Sequence, residues 1–191
     1  MAEDWRHKYQ SHRIGPFIDG VAAVYFEKVR WVWVDSGPYG ENMDKVRQVD
    51  VERIVGYVNT EGVEVIPLGR YGSVGEFRDG LAGFKLNGKY GNGKYGFINT
   101  EGKEVVPPKY DKVRIFSEGL AGVKLNGLWG VIDKEGEAVV PIKYDLIGGF
   151  RDGLAQVELN GKWGVIDKEG NEYWDMTADE YWQKIKNPSS L

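Results

Sequence analysis

The chain has 191 residues, no cysteine, and a net charge of -4 from 25 basic and 29 acidic side chains. Charges of both signs are interspersed, so the sequence lacks the cationic patch required by nucleic acids and by anionic membrane surfaces. The absence of cysteine excludes disulfides and thiolate chemistry. Glycine occurs 27 times, about twice its average usage of roughly 7%, which favours short strands joined by tight turns.

The segment Met1–Phe17 is charged and contains no apolar stretch of the kind found in signal peptides. No apolar run approaches the roughly 20 residues of a membrane span. We therefore expect a cytoplasmic protein that binds neither membranes nor nucleic acid.

The dominant feature is a segment repeated about four times, with copies that begin at Phe17, Phe77, Phe116 and Phe150. The spacing from Phe116 to Phe150 sets the period. The copy at Phe77 exceeds this period by one pentapeptide, because NGKYG occurs twice within residues 87–96. The first copy is much longer, and nearly all of its excess lies between Phe26 and Gly56.

The first copy contains the insertion, residues 27–55, which predicts an extended hairpin with its tip near Ser36–Met43. It forms either a longer blade with packed aromatic side chains or a projecting contact surface, since irregular insertions on a rigid scaffold often carry recognition. The candidate partner-binding residues are Trp31, Trp33, Tyr39, Glu41 and Met43.

The third copy shows the pattern within one repeat most clearly. Apolar residues alternate over Leu120–Leu125, which is typical of a half-buried strand. Asn126-Gly127 follows, and this dipeptide favours a two-residue hairpin because both turn residues need positive φ. Trp129–Asp133 and Val139–Val140 are predicted as the second and third strands of a meander.

Three further features belong to this pattern. Pro141 is expected to stop the third strand, since proline cannot donate a ladder hydrogen bond. Leu146 and Ile147 are a candidate short fourth strand. The glycine after each repeat aromatic indicates close packing, which we assign to a neighbouring aromatic ring.

A single meander of this size is marginally stable in water, so the copies are expected to stack and to bury a structural aromatic column. The residues of this predicted column are Tyr57, Tyr95, Trp129 and Trp163.

The segments NGLWGVIDKEGEAVVPIKYD and NGKWGVIDKEG, with the lead-in FxDGLAxVxLNG, resemble the bacterial WG repeat, named for its Trp-Gly pair. The resemblance covers Phe77–Glu172 well and Phe17–Tyr71 loosely. Two copies depart from it, with Gly56-Tyr57 and Tyr95-Gly96 in place of Trp-Gly, and in the first the order is reversed. The resemblance implies an all-β repeat module without defined chemistry.

The ends leave the architecture open. Residues 1–176 are predicted as the array, and residues 177–191 as a cap and tail with a short helix that begins in a capping box at Thr177–Glu180. Lys8-Tyr9 precedes Phe17 much as Lys109-Tyr110 precedes Phe116. The N-terminus therefore either completes the last repeat in a propeller-like ring or belongs to an open, capped array.

No catalytic or metal-binding motif is predicted. His7 and His12 do not share a helical face well and have no supporting cysteine or histidine cluster. No serine lies in a nucleophile elbow, and the glycine-rich pentapeptides lack the remaining features of a phosphate loop. We expect a protein that is not an enzyme and has no cofactor.

Acidic and amide residues recur in two columns that turn chemistry explains. One column precedes a glycine and comprises Asp19, Asp79, Glu118 and Asp152. The other opens the second turn and comprises Asn59, Asn99, Asp133 and Asp167.

Three functions remain open. The first is a protein-interaction module, with a small inhibitor or immunity-type protein as one version. The second is a glycan- or cell-wall-binding module that uses surface aromatics, which requires Trp129 and Trp163 to be exposed. The third is a structural spacer.

Overall fold

The structure is a computed structural model that describes residues 13–34, 45–86, 93–177, 179, 180 and 183, with side chains for all of these except residues 27–34 and 45–53. The strands in this part of the chain form four antiparallel sheets of four strands each. The predicted all-β repeat architecture is therefore confirmed. The chain divides into two compact units, Met1–Arg70 and Tyr71–Leu191.

The first unit contains one sheet, in the order β1-β2-β3-β4. We call it sheet 1, and its strands are β1 (Arg13–Ile18), β2 (Val21–Val34), β3 (Lys45–Asn59) and β4 (Glu64–Ile66). Ala22, Val24 and Val58 are buried in this unit and pack with Ile14.

The second unit contains the other three sheets. Sheet 2 consists of β5 (Ser73–Val74), β6 (Leu81–Lys85), β7 (Tyr95–Asn99) and β8 (Glu104–Tyr110). Sheet 3 consists of β9 (Lys112–Val113), β10 (Ala121–Leu125), β11 (Leu128–Ile132) and β12 (Ala138–Tyr144). Sheet 4 consists of β13 (Leu146–Ile147), β14 (Leu154–Leu159), β15 (Lys162–Asp167) and β16 (Glu172–Trp174).

The short strand at Leu146–Ile147 does not belong to the copy that precedes it. It pairs with β14 and is the first strand of the following sheet. Each sheet therefore starts just before the phenylalanine that marks the repeat in the sequence.

Both predicted turn types are present. Asn126 and Gly127 have φ values of 52° and 87°, as a two-residue hairpin of this type requires. In the second turn, the Asp133 carboxylate accepts hydrogen bonds from the backbone N–H groups of Glu135 and Glu137, at 3.1 and 2.8 Å. Equivalent bonds occur at Asn59, Asn99 and Asp167, so both turns follow from local side-chain chemistry.

The third strand is not stopped at proline, contrary to the sequence prediction. β12 continues through Pro141 to Tyr144. It pairs with β11 on both sides of the proline, through Val140 with Val131 and through Tyr144 with Trp129. The intervening residues form a bulge opposite Gly130, and a bulge is a position at which a strand tolerates proline.

The glycine after the repeat aromatic packs against backbone in every copy, and the expected aromatic ring also lies there at Gly96 and Gly164 but not at Gly130. A Cβ on Gly130 would lie 2.8 Å from the carbonyl oxygen of Val140 and 2.9 Å from the nitrogen of Ile142. Gly56, Gly96 and Gly164 also lie against backbone atoms across the sheet. A Cβ on Gly96 would also lie 2.9 Å from the Phe84 ring, and one on Gly164 would lie 2.8 Å from the Trp174 ring. The bulged strand thus requires a residue without a side chain.

The equivalence of these glycines corrects the predicted aromatic column. Gly56 pairs with Val24, and Gly130 pairs with Val123 in the same register. Val55, and not Tyr57, therefore occupies the position of Trp129. Tyr57 lies on the other side of that glycine in β3, one residue beyond it, and so does not continue the column of ring positions.

Stacking within the second unit buries two clusters of side chains, and each cluster is shared by two successive sheets. Phe97 and Val106 of sheet 2 form a cluster with Ala121, Val123 and Ile132 of sheet 3. A second cluster joins residues of sheets 3 and 4, namely Trp129, Val131, Val140, Tyr144, Ile147, Val157 and Ile166. Successive copies therefore share their core, as in other repeat proteins.

Two predictions about the ends fall largely outside the described residues. The Thr177 N–H donates to the Glu180 carboxylate at 2.6 Å, and the Glu180 N–H donates back to the Thr177 hydroxyl at 3.3 Å. This is the reciprocal pair of a capping box, but most of the predicted helix lies outside the described residues. So does Lys8-Tyr9, and ring closure stays a prediction.

Candidate interaction surface

The insertion of the first repeat replaces one hairpin turn. Phe26 pairs with Ile54 at the register at which Leu125 pairs with Leu128. Sheet 3 closes its hairpin there with Asn126-Gly127, whereas sheet 1 continues with residues 27–53. The strands β2 and β3 run on for eight further residue pairs, up to Val34 with Lys45, or roughly 26 Å at about 3.3 Å per residue.

In the described residues, this extension pairs only with itself. The partners of β1 in β2 end at Tyr25, and those of β4 in β3 are Tyr57 and Val58. Among the described residues, no strand pairs with the outer edges of this hairpin beyond Phe26 and Ile54.

The Trp-Gly motif has different surroundings in sheets 3 and 4. Trp129 is 9% exposed, and its indole lies under the guanidinium of Arg114, whose Cζ is 5.0 Å from the ring centroid. Trp163 is 44% exposed. The position equivalent to Arg114 in sheet 4 is Gly148. The Arg114 N–H donates to the Gly122 carbonyl oxygen, and the Gly148 N–H donates to the carbonyl oxygen of Gln156, which occupies the same place in the next strand.

Charged side chains bridge successive repeats at their turns. Asp79 accepts a hydrogen bond from the Gly119 N–H at 2.8 Å, and Glu118 accepts one from the Gly153 N–H at 3.0 Å. Lys168 lies 2.9 Å from the Glu118 carboxylate. The hydrogen bond from Lys168, followed by that from Gly153, holds the pKa of Glu118 below its ordinary value.

The Lys-Tyr-Asp segment between repeats forms a second bridge. Asp111 accepts a hydrogen bond from the Asn126 N–H at 2.7 Å, and Asp145 accepts one from the Asn160 N–H at 2.6 Å. Each aspartate therefore caps the Asn-Gly turn of the sheet that follows. Lys94 binds the Asp111 carboxylate and, with the Asn126 N–H, lowers the pKa of that group.

The tyrosine of the same segment reaches the last strand of the next sheet. The Tyr144 hydroxyl donates to the Glu172 carboxylate at 2.8 Å, and Lys143 binds the same oxygen. Hydrogen bonding from Lys143, and then from Tyr144 and Trp174, lowers the pKa of Glu172. Burial, and then the hydrogen bond to Glu172, raises the pKa of Tyr144 well above its ordinary value.

A cleft of about 310 Å³ opens between sheets 2 and 3. Its lining includes Gly75, Glu76, Gly83, Tyr95, Arg114 and Ile115. Gly75 and Arg114 hold equivalent positions in their sheets. The Gly75 N–H donates to the Gly83 carbonyl oxygen, as the Arg114 N–H donates to that of Gly122. In sheet 2 a glycine thus leaves open the space that an arginine fills over the aromatic ring in sheet 3.

The comparison with known families follows from this repeated geometry. A family described as a WG containing repeat matches residues 56–90, 95–129 and 129–163, which together make up more than half of the chain. The chain belongs to the WG-repeat family. Each of the first two matches begins at the aromatic–glycine position of a WG repeat and ends before or at the same position of the next. A comparison with curated proteins finds no match.

The WG-repeat scaffold brings only some of the predicted site residues together. Trp31 pairs with Gln48 and Trp33 pairs with Val46 in the hairpin, whose side chains at these positions are not described. Tyr39, Glu41, Met43 and both histidines lie outside the described residues. Tyr95 and Trp129 occupy the same position in adjacent WG repeats. Trp163 occupies it in the last repeat, where the ring is exposed, although the predicted column required it to be buried.

Sequence reasoning missed Arg114, Gly75 and the cleft. Aligning the three copies on their first strand would have placed Gly75, Arg114 and Gly148 at one position. A position that alternates between glycine and a long cation is a usable signal, because the side chain there decides whether the neighbouring ring is covered.

The described residues contain no group of three or more histidine, aspartate and glutamate side chains arranged to hold a metal ion. No helix within the described part of the WG-repeat chain is long and apolar enough to cross a membrane.

Proposed function

We propose that the chain is a non-catalytic protein-interaction module in which the WG repeats form a scaffold and the β2–β3 hairpin is the principal contact element. The observation that carries this proposal is the replacement of a two-residue turn by a hairpin of eight additional residue pairs. The repeat itself does not need this extension, because sheet 3 closes at the same register with Asn126-Gly127.

The energetics of a two-stranded ribbon support a role in binding. An isolated hairpin is marginally stable in water, and unpaired edges are sites at which another chain adds a strand. Tryptophan is enriched among the residues that dominate binding free energy, and Trp31 and Trp33 lie within the paired extension. A partner strand or loop would add to the hairpin edges that have no strand partner among the described residues.

The test is affinity capture with a variant in which residues 27–53 are replaced by Asn-Gly. This joins Phe26 to Ile54 through the turn that sheet 3 uses, so the scaffold is expected to fold, as checked by circular dichroism. We expect the wild type to capture partner proteins from a lysate of the source cells and the shortened variant to lose them.

Two further variants locate the contact. Trp31→Ala/Trp33→Ala should weaken capture, and Trp163→Ala is the matched control with a tryptophan removed elsewhere. Equal capture by the wild type and the shortened variant would exclude the hairpin as the contact element. Capture of nothing by any variant would contradict the interaction module and favour a structural spacer. An inhibitor or immunity-type role would appear as loss of activity in a captured enzyme.

Glycan binding is the second candidate, and the exposure of Trp163 favours it. A row of exposed rings is not available, since Trp129 is 9% exposed and covered by Arg114, so binding would be limited to a single stacking ring. Titration with soluble cell-wall fragments, followed by tryptophan fluorescence in wild type and Trp163→Ala, tests this. An unchanged spectrum in the wild type would exclude it.

A further inference from the structure

The cleft between sheets 2 and 3 differs from the equivalent place between sheets 3 and 4 by the loss of one side chain. Arg114 covers Trp129 in sheet 3, whereas Gly75 provides no such cover for the half-buried ring of Tyr95 at the cleft in sheet 2. The Lys85 ammonium lies 5.4 Å from the centroid of the Tyr95 ring. A Cβ on Gly75 would meet only the Gly83 carbonyl oxygen, at 3.5 Å. The position therefore has room for a side chain, and the WG repeat does not require glycine there.

Arg114 presents a cation at this cleft that forms no ion pair within the part of the chain that the structure describes. Its guanidinium lies over the Trp129 ring, and its carbon chain packs on Gly122, where a Cβ would lie 3.2 Å from Arg114 Cδ. Its Nε is buried without a hydrogen-bond partner, and no carboxylate in the described residues forms an ion pair with it. A buried donor without an acceptor is costly, and a planar guanidinium held in place is suited to a carboxylate.

The rest of the lining is suited to an apolar group. Val74, Val113 and Tyr95 contribute apolar surface, and Ile115 is 47% exposed at the rim. The volume is at the lower end of the roughly 300–1,000 Å³ typical of ligand clefts, which fits one large side chain better than an extended ligand. Glu76 is exposed, so its repulsion of a bound carboxylate is screened by salt, and it can accept a backbone N–H.

We propose that this cleft, between Gly75, Tyr95 and Arg114, binds a segment of a partner protein that carries an aromatic side chain next to a carboxylate. The aromatic group packs against Tyr95 and Ile115, and the carboxylate accepts hydrogen bonds from the guanidinium of Arg114. The inference rests on the proposed protein-interaction function and adds a second contact, distinct from the β2–β3 hairpin, to it.

The test is a titration of the full-length, ¹⁵N-labelled chain with acetyl-Phe-Glu-amide, followed by NMR. The Arg114 Nε–H signal is the reporter, because it shifts when the guanidinium gains an acceptor. We expect saturable shifts of this signal and of the Gly75 and Gly83 amides. Acetyl-Phe-Gln-amide, which lacks the charge, should bind about tenfold more weakly, since hydrogen bonds between charged groups are roughly twice as strong as neutral ones.

Filling the cleft provides a matched pair of variants. Gly75→Arg should weaken binding of the Phe-Glu peptide by about tenfold or more, because it places in sheet 2 the cover that Arg114 provides in sheet 3. Gly148→Arg makes the same change in sheet 4, where a Cβ would meet Gln156 atoms at 3.5 Å, and should leave binding unchanged. Arg114→Gln keeps part of the chain over Trp129 and should abolish the preference for Glu over Gln.

Three results would overturn the inference: no shift at the Arg114 signal, equal binding of the two peptides, or equal weakening by Gly75→Arg and Gly148→Arg. These results are separate from those of affinity capture. Partners that are captured in the absence of peptide binding would leave the interaction module in place and remove the cleft from it. Peptide binding without any captured partner would keep the cleft as a binding site and contradict the role of the β2–β3 hairpin.

Discussion

Sheets 3 and 4 carry nearly the same strand, LWGVI and KWGVI, but their tryptophans lie in different surroundings. Trp129 is covered by Arg114 and shares a cluster with Ile147 and Val157 of sheet 4. Trp163 is 44% exposed, with Gly148 in the place of Arg114. The motif therefore specifies a strand and its bulged neighbour, whereas burial of the ring depends on residues outside the motif.

The largest expected effect comes from removing the two tryptophans. Trp129→Ala should lower the free energy of unfolding by about 3–5 kcal/mol, because it leaves a cavity between sheets 3 and 4. Trp163→Ala should lower it by about 1 kcal/mol, since much of that ring is already in water. Urea unfolding followed by circular dichroism measures both. Equal losses would show that the two rings contribute alike and would contradict the comparison.

The glycine after each tryptophan should behave alike in both sheets. Gly130→Ala and Gly164→Ala should each lower the free energy of unfolding by about 1–3 kcal/mol, because a Cβ would lie 2.8 and 2.6 Å from a backbone oxygen. Gly149→Ala is the control, since nothing lies within 4 Å of that Cβ. Thermal unfolding of the three variants distinguishes them, and a neutral Gly130→Ala would refute the backbone-contact explanation.

A hydrogen bond present between sheets 3 and 4 is missing between sheets 2 and 3. Tyr144 donates to Glu172. The position equivalent to Glu172 in sheet 3 is Ala138, because Ile132 pairs with Ala138 as Ile166 pairs with Glu172, so Tyr110 has no carboxylate at this position. Tyr144→Phe should therefore cost about 1 kcal/mol in unfolding free energy.

The reverse substitution restores the missing partner. Ala138→Glu should raise the free energy of unfolding by about 0.5–1.5 kcal/mol, and Tyr110→Phe should abolish that gain while having little effect in the wild type. A double-mutant cycle on Tyr110 and Ala138, measured by urea unfolding, provides the coupling. A coupling of zero would show that the two positions do not meet.

The smallest expected effect concerns acid. The pKa of Glu118 is lower in the folded chain than its ordinary value, so the folded state binds fewer protons than the unfolded state. The stabilisation is fully present above the unfolded pKa of about 4.3 and is lost as the pH falls through the folded pKa. The melting temperature of the wild type should decline below about pH 5 more steeply than that of Glu118→Gln. Parallel curves would exclude the contribution of this bridge.

Much of the fold is predictable because it depends on short-range constraints. Asn126-Gly127 predicts a hairpin because both residues must adopt positive φ, and Asp133 predicts a turn because its carboxylate reaches backbone N–H groups two and four residues ahead. The regular period of the copies predicts the stacking. The continuation of β12 through Pro141 could not be predicted in this way, because it depends on a bulge set by the partner strand.

The candidate site was predictable only in part. The insertion is visible in the sequence because it interrupts the period, and its hairpin pairing is confirmed up to Val34 with Lys45. The cleft was not predicted, because Gly75 and Arg114 belong to different copies of the repeat and form one cleft only after sheets 2 and 3 have packed together.

The sequence alone determined the number of repeats, the two strands on either side of the Asn-Gly turn, and the turns, since each is set by φ preferences, alternation and hydrogen bonds within a few residues. Tertiary structure alone decided which aromatic rings are covered. The register of β3 places Val55, and not Tyr57, at the position of Trp129. Arg114 covers Trp129, whereas Gly148 at the equivalent position leaves Trp163 exposed. Burial is a property of the surfaces that meet, and those surfaces come from different copies of the repeat.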